Sequence, residues 1–146
     1  MFLQEIVLAG RLKPKRETMK QDDLIALAIE ARKKAHAPYS HFAVGVALLA
    51  KSGQVYTGCN VENASYGLCI CAERVAVFKA VSEGEREFEA IAVVTENGVT
   101  PCGACRQVLM EFGDDIQVIV ADTAGHRRVF ALTDLLPEGF TPEHLP

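Results

Sequence analysis

The sequence predicts an α/β fold: a three-layer α-β-α sandwich around a mixed sheet of about five strands. Three observations carry that prediction. The chain has 146 residues, 49% of them hydrophobic and 23% charged, which suits one globular domain with a real core. Segments with helical apolar spacing alternate with short apolar runs in the order α-β-β-α-β-α-β-β-α. Gly and Pro punctuate nearly every junction, and no repeat or low-complexity linker interrupts the series.

The elements follow in order. Leu24, Leu27, Ala28, Ala31 and Ala35 share one face behind the N-cap candidates Asp22 and Asp23, so a helix is expected over 22–36, ending before Pro38. Residues 43–50 are almost continuously apolar and too short for a helix, as in a strand buried on both faces. Ser52 and Gly53 form a turn, and residues 55–61 return as the second strand of a hairpin. A helix is expected over 72–82, stopped by Gly84, then a buried strand over 91–95. A helix over 104–112 ends at Gly113, and 116–121 reads as a strand. Gly125 turns the chain into a short strand at Val129 and Phe130, and one helical turn over 133–136 stops at Pro137. Strand–helix–strand connections imply right-handed parallel crossovers, and the hairpin adds an antiparallel pair.

Charge narrows the function. Fifteen Lys and Arg stand against 19 Asp and Glu, a net charge of −4 with a pI near 5.6. That balance gives no electrostatic track for nucleic acid. No apolar run reaches the roughly 18 residues a membrane span needs. Within residues 1–20, Arg11, Lys13, Lys15, Arg16 and Lys20 outnumber Glu5 and Glu17, so the negative charge lies in the remainder of the chain. The apolar stretch Ile6–Ala9 precedes these basic residues, the reverse of a secretory signal. Residues 1–18 are expected to be an N-terminal extension of unknown role, with Met19 as an alternative start, and residues 19–146 a single catalytic domain. A cytoplasmic location is expected, where thiols stay reduced.

Five cysteines cannot all pair within one chain, so metal binding or catalysis becomes the question. Cys71 opens the helix that carries Glu73, and Cys102 and Cys105 open the next one within Pro101-Cys102-Gly103-Ala104-Cys105. The i, i+3 spacing points both sulfurs to one side of the turn, and a β-α crossover can bring Cys71 beside them. Free N–H groups and the dipole at helix starts stabilise thiolates. On spacing alone, a redox pair, a structural zinc site and a catalytic zinc site all stay open. A structural site wants a fourth ligand, which only Cys59, Cys69, His36, His41, His126 or His144 remain to provide. Glu73, two residues after a candidate ligand, fits a general acid/base beside an activated water.

These residues resemble the zinc-dependent nucleoside deaminases, and specifically the small homotetrameric branch of cytidine deaminase with three cysteine ligands. Ala37-Pro38-Tyr39-Ser40-His41-Phe42, the stretch from Gly58 to Gly67, Cys71-Ala72-Glu73-Arg74 and Pro101-Cys102-Gly103-Ala104-Cys105-Arg106-Gln107 carry the resemblance, which runs over about residues 20–142. It implies one Zn2+ per subunit held by Cys71, Cys102 and Cys105. It implies that Asn60 and Glu62 bind the ribose hydroxyls, that Phe42 packs on the base or sugar, and that the Ala72 N–H holds the pyrimidine carbonyl. Ala64 and Tyr66 would reach a neighbouring subunit's site and Phe140 would close another's, so active sites are shared within a homotetramer. Zinc with three thiolates carries a net charge of −1, which Arg74 would offset, with Arg106 as a second contributor. Cys59 and Cys69 read as structural thiols.

The implied reaction is hydrolytic deamination of cytidine and 2′-deoxycytidine to uridine and 2′-deoxyuridine plus ammonia, a step of pyrimidine salvage. A zinc-bound hydroxide attacks and Glu73 shuttles the protons. The alternatives are a deaminase of a related nucleoside such as an aminoacyl-nucleoside antibiotic, a nucleotide or nucleic-acid editor, and a non-catalytic zinc module. The partners expected are a small nucleoside and copies of the same chain, with no nucleic acid and no membrane.

Overall fold

The computed structural model describes residues 19–146, so the expected extension at 1–18 lies outside the described residues. A five-stranded mixed sheet forms the middle layer, in the order β2-β1-β3-β4-β5. Its strands are β1 (Gly45–Ala50), β2 (Val55–Cys59), β3 (Phe88–Val94), β4 (Gln117–Ala121) and β5 (Arg127–Ala131). Only the β3–β4 pair is parallel; the other three pairs are antiparallel. The helices are α1 (Gln21–Arg32), α2 (Ala72–Ser82), α3 (Gly103–Met110) and the single turn α4 (Leu132–Leu135).

The two faces of the sheet bury different helices. Ala47, Leu49, Ala92, Val94 and Ile119 meet Leu24 and Ala28 of α1 on one face. Val46, Leu48, Ile91, Val93 and Val118 meet Ala76, Val77 and Leu109 of α2 and α3 on the other. This is the expected three-layer sandwich, with β1 fully buried in both directions. Two glycines allow the layers to close. A Cβ on Gly45 would lie 2.0 Å from the Ala28 carbonyl oxygen, and one on Gly58 would lie 2.4 Å from the Ala72 carbonyl oxygen. Gly58 therefore seats the first turn of α2, where Cys71 and Glu73 stand, directly on β2.

Several boundaries differ from the sequence expectation. The first helix ends at Arg32 rather than 36, because the N–H groups of Lys33, Lys34 and Ala35 turn to the carbonyls of Glu30, Ala31 and Arg32, three residues back. Its N-cap is Lys20, not Asp22 or Asp23. The Asp23 carboxylate instead accepts the Lys20 N–H at 3.3 Å from within the first turn. The strands expected over 43–50 and 55–61 are shorter, at Gly45–Ala50 and Val55–Cys59. β3 begins earlier, at Phe88, since exposed Glu89 interrupts the apolar run without ending the strand. β5 includes Arg127 and Arg128, the charged residues of an exposed edge strand. The helix expected over 104–112 spans Gly103–Met110, β4 starts at Gln117 rather than 116, and the last turn sits one residue earlier than 133–136.

The topology itself brings the cysteines together. β2 and β3 both run antiparallel to β1 and hence parallel to each other. The chain leaves the C-terminal ends of both at the same edge of the sheet, first toward α2 and then toward α3. Two helix N-termini therefore stand side by side, at the place where open α/β sheets bind ligands.

Candidate active site

Cys71 is the N-cap of α2 and Cys102 the N-cap of α3, with Cys105 in the first turn after it. The Sγ atoms of Cys71 and Cys102 are 4.0 Å apart and those of Cys102 and Cys105 are 3.5 Å apart. All three sulfurs lie within 4.8 Å of one another. Tetrahedral zinc–thiolate bonds of roughly 2.3 Å place sulfurs about 3.8 Å apart, so the donor set fits zinc. Among the described residues, no fourth His, Cys, Asp or Glu ligand atom joins the cluster. None of Cys59, Cys69 or the four histidines fills that place. The arrangement matches three protein ligands with an open position, as in catalytic sites.

The electrostatics favour thiolates. The Cys71 thiol is lowered to about 5, first by the hydrogen bond with Cys105 and then by Arg74. The Cys105 thiol is pushed above its ordinary range by that same bond and by burial. Within this pair a thiolate at Cys71 is favoured and one at Cys105 is not, and a divalent cation would stabilise thiolates at all three positions. Arg74 Nη2 lies 3.5 Å from Cys71 Sγ, in the expected charge-offsetting position. Arg106 is a correction. Its guanidinium donates to the Pro101 carbonyl at 2.7 Å, the Leu135 carbonyl at 2.7 Å and Thr100 Oγ1 at 2.9 Å, and none of these partners is a sulfur. It braces the loop entering the Cys102 turn instead of tuning the thiolates.

A cavity of about 300 Å³ opens beside the thiols and is lined by Cys71, Cys102, Glu73, Phe42, Asn60 and Glu62, among others. Glu73 is buried, with only 5% of its surface exposed, and burial pushes its carboxyl above the usual carboxylate range. A buried carboxyl that gains a proton readily suits proton transfer near neutral pH. Ala72, the first residue of α2, has no carbonyl four residues back within the helix for its N–H.

The expected ribose-binding pair is built into the backbone around it. Asn60 donates from Nδ2 to the Phe42 carbonyl at 2.8 Å and accepts the Val44 N–H at Oδ1 at 2.9 Å. Those two bonds clip the approach to β1 and leave one Asn60 N–H unused by them. Glu62 Oε1 accepts the Tyr39 and Ser40 N–H groups at 3.0 and 3.1 Å, and Oε2 accepts the Ser40 hydroxyl. Hydrogen bonds from Ser40 hold the Glu62 carboxyl below its ordinary range, which favours its acceptor form. The Ser40 hydroxyl also accepts the Phe42 N–H at 3.1 Å. One serine thereby orients both Glu62 and Phe42, a role the sequence reading missed; its position in a turn before two candidate site residues was the available signal. Thr95 was missed as well. It is buried, and its Oγ1 accepts the Gly98 and Val99 N–H groups at 2.8 and 3.1 Å, folding the cavity wall.

Ala64, Tyr66 and Phe140 do not line this cavity. Ala64 is exposed in the loop before a 3-10 turn at Tyr66–Leu68. Tyr66 is 73% exposed and packs edge-on against Tyr39, with ring centroids 5.6 Å apart. Phe140 is 55% exposed, in the segment after α4.

This chain is similar to known cytidine deaminases. The sequence profile of the cytidine and deoxycytidylate deaminase zinc-binding region matches residues 18–121. A cytidine deaminase of Halalkalibacterium halodurans is 51% identical over 130 residues, covering 87% of this chain and 98% of that protein. One from Sporosarcina psychrophila is 48% identical over 130 residues, covering 87% and 96%. Among solved structures, the cytidine deaminase from Burkholderia pseudomallei is similar with a TM-score of 0.81 at 52% identity, over 84% of this chain and all of that one.

Proposed function

Since the chain belongs to the zinc-dependent cytidine and deoxycytidylate deaminase family, we propose that it converts cytidine and 2′-deoxycytidine to uridine and 2′-deoxyuridine with release of ammonia. The observation that carries this reading is buried Glu73 sharing one cavity with two ligand thiols and with the Asn60–Glu62 pair. Zinc held by Cys71, Cys102 and Cys105 supplies a Lewis acid that makes a water nucleophilic at neutral pH.

Glu73 takes a proton from the attacking water and delivers it to N3 of the base, so that the oxygen adds at C4. It then takes the remaining hydroxyl proton of the tetrahedral adduct and passes it to the C4 amine, which leaves as ammonia. The second carboxyl side chain of the cavity, Glu62, stays a carboxylate and accepts from a ribose hydroxyl. Asn60 offers its free N–H to the sugar, and Phe42 packs on it. The Ala72 N–H holds the pyrimidine carbonyl. Arg74 offsets the excess negative charge of three thiolates and keeps the metal electrophilic.

No Lys or Arg lines the cavity, and Glu62 is an anion within it. That favours a neutral nucleoside over a nucleotide. The exposure of Ala64, Tyr66 and Phe140 outside their own cavity supports a homotetramer in which each subunit lends them to a neighbour's site. The catalytic domain is assigned to residues 19–146. We assign it a role in pyrimidine salvage, which suits the products, and a cytoplasmic location, which suits reduced thiols. No helix among the described residues is long and apolar enough to cross a membrane.

A substrate panel tests the reading. The loss of substrate ultraviolet absorbance is followed for cytidine, 2′-deoxycytidine, CMP, cytosine and adenosine at equal concentration. Turnover is expected for the first two only. CMP or adenosine turned over as fast as cytidine contradicts the proposal.

A further inference from the structure

Phe140 is exposed, yet its main chain is held at two points. Gln107 Nε2 donates to the Phe140 carbonyl at 2.7 Å, and the Phe140 N–H donates to Gln107 Oε1 at 3.1 Å. One side-chain amide therefore satisfies both polar groups of a single residue 33 positions away, as a neighbouring strand would. The Phe140 ring is held too, stacked on His144 with centroids 5.6 Å apart and planes 22° apart. His144 Nδ1 in turn accepts the Thr141 N–H at 3.0 Å. The residue before it is confined: a Cβ on Gly139 would come within 3.0 Å of Met110 Cγ.

Gln107 and Met110 both belong to α3, the helix whose first turn carries Cys102 and Cys105. Fixing an exposed aromatic this thoroughly adds nothing to a hydrophobic core. It does lower the ordering cost of any partner that packs on the ring. We infer that Gln107 is a positioning residue for nucleoside binding: it sets the main chain of Phe140 so that the phenyl ring is pre-oriented to close a neighbouring subunit's site. This rests on the reading of Phe140 given under Proposed function, and it ties one subunit's metal-bearing helix to its neighbour's substrate affinity.

The test is a double-mutant cycle on the zinc-loaded enzyme with Gln107→Ala, Phe140→Ala and the double variant, measuring KM and kcat for cytidine, zinc content and oligomeric state. Losing two neutral hydrogen bonds that orient the ring is expected to raise KM about tenfold in Gln107→Ala. Zinc content, assembly and kcat should stay close to the parent's. The double variant should be no worse than Phe140→Ala alone, because Gln107 acts through that ring. Additive losses overturn the proposal, since they mean that Gln107 works by another route. An unchanged KM in Gln107→Ala, with a raised KM in Phe140→Ala, overturns it while leaving the Phe140 reading intact. An unchanged KM in Phe140→Ala overturns the Phe140 reading itself, and the inference with it. If Gln107→Ala does not fold, Gln107→Met keeps the side-chain volume without the bonds and is read the same way. Loss of fold or zinc in both variants overturns the proposal, because it assigns the pair to the stability of α3.

Discussion

Glu73→Gln is expected to bind one zinc per chain and to lose cytidine turnover by about 10²–10⁴-fold, the usual worth of a positioned proton-transfer group. The substitution keeps the volume of a side chain that is buried beside Cys71 in the first turn of α2. It removes the group that must carry protons from water to N3 and then to the departing amine. Gln can donate and accept hydrogen bonds but cannot cycle a proton at neutral pH. Metal analysis and initial rates on the same preparation check the prediction. Rates near the parent's would remove Glu73 from the chemistry and leave the cavity without a proton carrier. Loss of zinc in this variant would instead assign Glu73 a role in holding the metal.

Cys105→Ala is expected to abolish tight zinc binding and, with it, activity. Cys105 is fully buried in the first turn of α3 and is one of three thiols within 4.8 Å of one another. Two remaining thiols, one of them exposed Cys102, do not form a tetrahedral site with only one open position. The loss should extend to stability. Metal binding to the native state alone stabilises it, so the parent should melt higher with zinc than after chelation, while Cys105→Ala should show little difference. Melting curves with and without chelator, beside metal analysis, check this. A variant that keeps one zinc per chain and its zinc-dependent melting shift places the ion elsewhere.

The metal site was legible because its signal is local. A Cys-x-x-Cys pair at one helix start, and a Cys followed by Glu two residues later at another, define their own geometry. The nearly continuous apolar run over 43–50 likewise announced β1, buried at Gly45–Ala50, as an interior strand. What stayed hidden was the set of polar side chains that grip distant main chain. Arg106 carried no local sign that it would choose Pro101, Thr100 and Leu135 over the thiolates nearby. Gln107 sits on the zinc helix with nothing to reveal its hold on Phe140, 33 residues away. Such contacts have no periodicity, and they depend on where irregular segments come to rest. The end of the first helix was misread because the apolar spacing continues to Ala35, whereas the main chain tightens into three-residue turns after Arg32.

The most direct test of the central claim is a zinc titration of the parent enzyme. Zinc is stripped with a chelator and returned stepwise, and bound metal, uridine and ammonia are measured together with cytidine in excess. Turnover should vanish in the stripped protein, rise in proportion to bound zinc, and saturate at one zinc per chain, with one ammonia for each uridine. Deamination that persists without zinc, or full zinc occupancy with no uridine formed, contradicts the assignment.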